Sequence, residues 1–247
     1  MKKNSLVSII AVLLSGALSF SGCSSSSPVD YTATIAEGRN AAREAMETKS
    51  ATSISVAFVD GERLVWAETF GLADKESLTA PTADTMYCIG STSKMLAAIA
   101  VMKLVEQGRI SSIDAPLTTY MPSFSMLSPE YTQITPRMLI NHSSGFPGTD
   151  ERNAESASPL PFSFSAQVLE TVKGQRLKHP PRYLHVYCND GFTVSEQLVL
   201  AVTGKSFAQF VQDEIFTPLG MNHSRYPLEY FPGGSFAKRY NGTVPLP

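Results

Sequence analysis

Residues 89–108 read IGSTSKMLAAIAVMKLVEQG. Ser91 stands three positions before Lys94, and the residues after Lys94 are rich in good helix formers. Leu96, Ile99, Val101, Met102 and Val105 give an apolar stripe, and Gly108 sits where a helix commonly stops. Ser91 therefore opens a buried helix, with Lys94 one turn on and on the same face. The same spacing recurs in SFAK, residues 235–238, but there only RYNGTVPLP remains before the chain ends. The surroundings, not the spacing, single out Ser91.

A serine hydroxyl is a poor nucleophile without a base in hydrogen-bond reach. Lys94 serves if desolvation and nearby positive charge leave its amine partly neutral. The helix dipole favours negative charge developing at Ser91, and the backbone N–H of Ser91 is placed to donate to an oxyanion. On spacing alone, Lys94 reads equally as a solvated helix lysine. A second cluster, YCNDGF at residues 187–192, holds the sequence's one Tyr-x-Asn. If this segment is extended, Tyr187 and Asn189 point one way and Cys188 the other. A phenol beside an ammonium ionises more easily and relays a proton. Asn189 has an amide able to hold the lysine or a substrate amide. The plainer alternative is a core tyrosine at a strand end, followed by an Asn turn.

Four stretches, residues 86–122, ITPRMLINHSSGF (134–146), YCND (187–190) and LVLAVTGKSFAQFVQDEIFTPLGM (198–221), together resemble signature segments of the class C β-lactamase-related serine hydrolases. That family includes penicillin-binding D-Ala-D-Ala carboxypeptidases, esterases and D-aminopeptidases. The resemblance runs from about Ile54 to Met221. It implies an α/β (α+β), β-lactamase/transpeptidase-like fold, an antiparallel sheet beside a helical region. It makes Ser91 the acylated nucleophile, Lys94 its base partner, Tyr187 a second proton relay, and Asn189 the residue that orients lysine and substrate. HSSG (His142 to Gly145) is then a structural loop, and His142 a packing and hydrogen-bonding residue. The implied substrate is a peptidoglycan D-Ala-D-Ala peptide, a β-lactam or an ester. The alternatives are a penicillin- or peptidoglycan-binding lipoprotein without turnover, or an inactive truncated fragment. Two departures stand out. Pro181 is followed by Arg182 where many relatives have glycine, and Arg182 reads as solvated. The family's third element, a Lys-Thr-Gly or His-x-Gly strand carrying a second oxyanion donor, is not found in the sequence. TGKS (203–206) joins two helices and does not replace it.

Around these motifs the pattern predicts a helix over 31–47, then a hairpin of strands 54–59 and 63–70 turning at Asp60-Gly61. Helices come next at 136–141, 165–175, 192–200 and 207–216, with no second set of strands. The 26 residues after Met221 are rich in Pro and Gly and short for several strands of about five or six residues plus a helix. The fold is thus expected to be incomplete at the C-terminus. The chain is expected to be the N-terminal part of a longer protein, or a truncated product, inactive or nearly so by itself, with an exposed hairpin edge that invites aggregation.

The first residues, MKKNSLVSIIAVLLSGALSFSGC, have a basic start, an apolar stretch and small residues at the end. The apolar stretch is short for a membrane span. FSGC resembles a bacterial lipobox. Residues 1–22 then form a lipoprotein signal peptide, Cys23 is lipidated, 23–30 is a flexible tether, and 31–247 is the hydrolase domain. This places the protein in the bacterial cell envelope, lipid-anchored, with the outer membrane favoured. Cys88 and Cys188 are read as two small buried thiols, although an oxidising envelope permits a disulfide. A net charge of −2 argues against nucleic acid as a partner. The His and Cys spacing indicates no metal, and no cofactor or protein partner is inferred.

Overall fold

The computed structural model describes residues 29–148, 164–226, 235–241 and 244–245. Residues 1–22, expected to be a signal peptide, Cys23 and almost all of the expected tether lie outside the described residues, as does most of the loop at 147–163. The chain opens with α1 (Thr32–Lys49), then β1 (Ser53–Asp60) and β2 (Arg63–Gly71), an antiparallel pair. The turn is one residue later than the sequence pattern suggests, because Asp60 pairs with Arg63 and the loop is Gly61-Glu62. Gly61 carries a positive φ of 59°, and Glu62 does not. That is the pattern of a type II′ hairpin, with glycine at the first central position. Trp66 holds α1 onto the hairpin: its indole N–H donates to Glu68 at 2.8 Å, and the same carboxylate accepts from Arg39 of α1 at 2.7 Å.

The rest of the core is helical. A 3₁₀ turn (Gly90–Ser93) leads into α2 (Lys94–Glu106). Beyond it come α3 (Leu117–Tyr120), α4 (Pro136–Ile140), α5 (Phe164–Lys173), α6 (Asn189–Thr203) and α7 (Phe207–Val211), the last running into a π-helical turn over Gln212–Phe216. The helix anticipated over 207–216 is thus two pieces, and α6 begins three residues earlier than its periodicity suggests. α6 packs against α5, α4 and α2, while α2 also meets α4 and α7. Leu104, Leu139, Val168, Leu198 and Phe210 are fully enclosed where these helices meet, each burial worth roughly 1.5–3 kcal/mol. Gly191 lets α6 come close to α4: a Cβ there would lie 2.9 Å from the Leu139 carbonyl oxygen.

The stripe expected on α2 is corrected. The buried face is Leu96, Ala97, Ala100, Val101 and Leu104, while Met95, Ile99 and Met102 are exposed. Apolar residues run almost round this helix, so periodicity could not choose the face. The C-terminal segment also differs from expectation. It contains a short ladder, β3 (Tyr240–Asn241) with β4 (Val244–Pro245), which is not joined to the hairpin. Just before it, Phe236 forms a parallel bridge with Met86, and Lys238 N–H donates to Ala73 O at 2.8 Å.

This strap contains the second Ser-x-x-Lys. Ser235 bonds Thr85 through its hydroxyl (3.0 Å), and the Lys238 ammonium sits between Asp74 and Glu76, 2.8 Å from each. Those two acids raise the Lys238 pKa above its usual value. A non-helical backbone and a committed cation leave this pair a tether. Among the described residues, no helix is long and apolar enough to cross a membrane.

Gly191→Ala should lower stability by about 1–3 kcal/mol, the usual cost of forcing atoms into a packed contact. Urea unfolding would read this as a lower midpoint with an unchanged m-value; an unchanged midpoint would contradict the close α4–α6 crossing.

Candidate active site

Ser91 lies in the 3₁₀ turn ahead of α2, not in the α-helix itself. The turn is closed by Ser93, whose hydroxyl donates to Gly90 O at 2.7 Å, and by Thr92 N–H donating to Ile89 O at 3.2 Å. In 3₁₀ geometry residues three apart eclipse, so Lys94 stands directly over Ser91. Its ammonium donates to Ser91 Oγ at 3.0 Å.

Tyr187 arrives from 96 positions away, its hydroxyl 2.8 Å from Ser91 Oγ. Its placement is made by the HSSG turn. Val186 N–H donates to the His142 carbonyl (2.9 Å), Arg182 N–H to Ser143 O (2.9 Å) and Lys178 N–H to Gly145 O (2.8 Å). Gly145 has φ 82°, and a Cβ there would fall 2.3 Å from His179 O. Only glycine fits that turn. The imidazole of His142 lies 4.6 Å from the Tyr187 ring and 5.0 Å from that of Phe192. Its Nδ1 accepts the Cys188 N–H at 3.1 Å. Accepting there requires a neutral ring. Burial first, then the nearby His185 and Lys94, hold the His142 pKa below its ordinary value. His142 thus packs and hydrogen-bonds, in the manner anticipated from the HSSG segment.

The alternation expected of residues 187–189 is present. Tyr187 is exposed and meets Ser91, Cys188 is buried, and Asn189 opens α6 and lines the cleft. Cys188 donates its thiol to Gly148 O, while Cys88 is exposed, and neither cysteine forms a disulfide. Cys88 therefore departs from the buried-thiol reading. Arg182 is exposed, with φ 69°, and lines a separate cleft beside Asp114 and Gln133.

Burial alone would raise the Tyr187 phenol. Its bonds with Lys94 and Ser91, and the Lys94 charge, outweigh that and hold it below the usual range. The ammonium also stands over two rings, 4.8 Å from the centroid of Tyr187 and 5.5 Å from that of Phe192. A serine hydroxyl gripped by an ammonium and an acidified phenol has the makings of an activated nucleophile. Among the described residues, no group of three or more His, Cys, Asp or Glu side chains converges as a metal site.

The cleft around these groups encloses about 270 Å³, and Glu196 lines it with Ser91, Lys94, Asn189 and Thr193. Sequence reasoning did not single out Glu196. The available signal was its place seven residues after Asn189, on the helical face shared with Phe192 and Thr193, a stripe that is otherwise buried. Burial pushes its carboxyl up to about 7.

The family model described as Beta-lactamase matches residues 39–247. The chain is 27% identical over 185 residues to "Putative penicillin-binding protein PbpX" of Bacillus subtilis, covering 73% of this chain and 44% of that one. It is 28% identical over 186 residues to "Putative D-alanyl-D-alanine carboxypeptidase" of Escherichia coli K12, covering 70% and 42% respectively. Among solved structures, the octameric penicillin-binding protein homologue from Pyrococcus abyssi superposes with a TM-score of 0.66 at 26% identity, over 76% of this chain and 43% of that one. The chain spans less than half the length of these relatives.

Glu196 gives a pH signature. Its folded pKa lies above the ordinary 4.5, so the neutral form costs nothing below that pH. Stability is then lost as pH rises from about 4.5 through about 7. His142, with a lowered pKa, acts in the opposite sense, adding stability as pH rises toward 6.5. Glu196→Gln should remove only the first effect. The variant should gain on the wild type between pH 4.5 and 8 by at most on the order of 3 kcal/mol, an upper figure because Glu196 keeps some surface at the cleft. Parallel stability-versus-pH curves from chemical denaturation would rule this out.

Proposed function

The chain belongs to the Beta-lactamase family, and from that premise we propose that it is a serine hydrolase acylated on Ser91. The carrying observation is that one hydroxyl, Ser91 Oγ, is held by both Lys94 Nζ at 3.0 Å and Tyr187 Oη at 2.8 Å. In this reading Tyr187, kept acidic by Lys94, takes the Ser91 proton as Oγ attacks the acyl carbonyl. The Oγ–C bond forms, the bond to the leaving group breaks, and the proton passes from Tyr187 to the departing atom. Water then attacks the ester by the reverse relay, returning Ser91 and releasing the acid. Asn189, at the start of α6 and in the same cleft, orients Lys94 and the substrate amide. The Ser91 N–H donates to the oxyanion. The substrate class is a D-Ala-D-Ala peptide, a β-lactam or an ester. The names carried by the Bacillus and Escherichia relatives support the first two.

A second reading, acylation without turnover, is favoured by the openness of the site, since Ser91 and Tyr187 are both exposed. A serine that acylates slowly and releases more slowly still is a binder. Fluorescent penicillin and a fluorophosphonate, followed by timed release, separate the two. Ser91→Ala should abolish covalent labelling and Lys94→Ala should slow it at least ~10²-fold. Ser235→Ala should leave it unchanged. Labelling that survives Ser91→Ala would end the proposal; label that never leaves would select the binder.

A further inference from the structure

The cleft that opens at Ser91 continues along α6. Asn189, Thr193 and Glu196 succeed one another at helical spacing on one face and all line it. At 1.5 Å of rise per residue, Glu196 lies roughly 10 Å along the axis from Asn189. The walls there are Ala97 of α2, Phe207 of α7 and Tyr226. Tyr226 is fixed, with its ring 5.0 Å from Phe207 and 6.3 Å from Phe216 and its hydroxyl donating to Ser93 O at 3.0 Å.

Glu196 has no hydrogen bond or ion pair among the described residues, and desolvation is the sole influence on its carboxyl. The titratable neighbours facing the cleft are Lys94 and Tyr226. Lys94 is engaged by Ser91 and lies over the Tyr187 ring. Tyr226 feels the charge of Glu196 but spends its proton on Ser93. A largely desolvated acid with no partner among the described residues is costly to keep. A helix position two turns along α6 from Asn189 is easily filled by an apolar residue. What the place lacks is a cation small enough to pass the apolar walls.

We infer that Glu196 receives a primary ammonium group borne by the acyl part of the substrate, in the same cleft as the carbonyl that Ser91 attacks. The substrate class narrows to acyl donors with a terminal amine on an extended chain. This rests on the serine hydrolase reading of the same cleft. The ammonium forms a charge-assisted bond to the carboxylate, and in doing so draws Glu196 into its ionised form.

Two measurements on the 247-residue chain test this. The first compares acylation of Ser91 by the p-nitrophenyl esters of 8-aminooctanoic acid and nonanoic acid, which have similar length and differ in the terminal ammonium or methyl. Acylation is followed by intact mass at pH 8. The amino ester should be preferred by on the order of 10-fold or more, the scale of a hydrogen bond to a charged group. That preference should fall to about one in Glu196→Gln. An equal preference in both proteins overturns the inference. The second measurement needs neither a variant's activity nor acylation. The ¹³C carboxyl signal of Glu196, assigned by its loss in Glu196→Gln, is titrated with pH in the presence of 8-aminooctanamide or octanamide. The amine should lower the Glu196 titration midpoint by at least about one pH unit, and octanamide should leave it in place. If Ser91 resists both esters, acylation by this chain is ruled out, and the titration alone still decides whether Glu196 takes an ammonium. A midpoint unmoved by the amine overturns it.

Discussion

The Cys188 N–H donates to Nδ1 of His142 over 3.1 Å, and the same ring lies against Tyr187 and Phe192. This neutral imidazole joins two stretches of the chain that lie 46 residues apart in sequence. Its backbone belongs to the turn after α4, its hydrogen bond fixes the last residue before α6, and its face sets the plane of Tyr187. With the ring in place, the phenol reaches Ser91, and Asn189 begins α6 at the cleft wall. A protonated ring would turn an acceptor into a donor and set two N–H groups against each other. The low His142 pKa is therefore part of the site's architecture, produced by burial and then by the electrostatic influence of the nearby His185 and Lys94.

The parts of this arrangement that were legible in the sequence are the local ones. Ser91 and Lys94 are three residues apart, so backbone geometry alone brings them together. The hairpin was legible from its alternating strands, although the turn moved by one residue because glycine was needed at the first loop position. Tyr187 was legible only through family resemblance, since its approach to Ser91 depends on how α4, α6 and the HSSG turn pack. The buried face of α2 was hidden by its uniform apolarity. The ladder of β3 and β4 was hidden by its length, two residues a strand, too few to show a period. Glu196 was missed because a charged helix residue ordinarily faces water, and only the crossing of α2, α6 and α7 turns it inward.

The two Ser-x-x-Lys pairs show how little a spacing decides. At Ser91 the backbone is helical, the partners eclipse, and a phenol completes the group. At Ser235 the backbone runs extended beside Met86, the hydroxyl goes to Thr85, and the ammonium goes to two acids. One pair holds the Ser91 hydroxyl at an open cleft, and the other ties the C-terminal segment to the loops around residues 74 and 86. The difference lies in the backbone each pair inherits.

The outward face of α2 adds a chemical property. Met95 and Met102 are 59% and 48% exposed, whereas Met121 and Met138 are 4% and 2% exposed. Peroxide converts an accessible thioether to the sulfoxide and spares a buried one. The chain therefore carries its own oxidation gauge on the helix that begins beside Ser91. Sulfoxide at Met95 and Met102, measured against Met121 and Met138 in the same digest, reports how well anything seated on that face shields it from the surrounding solution.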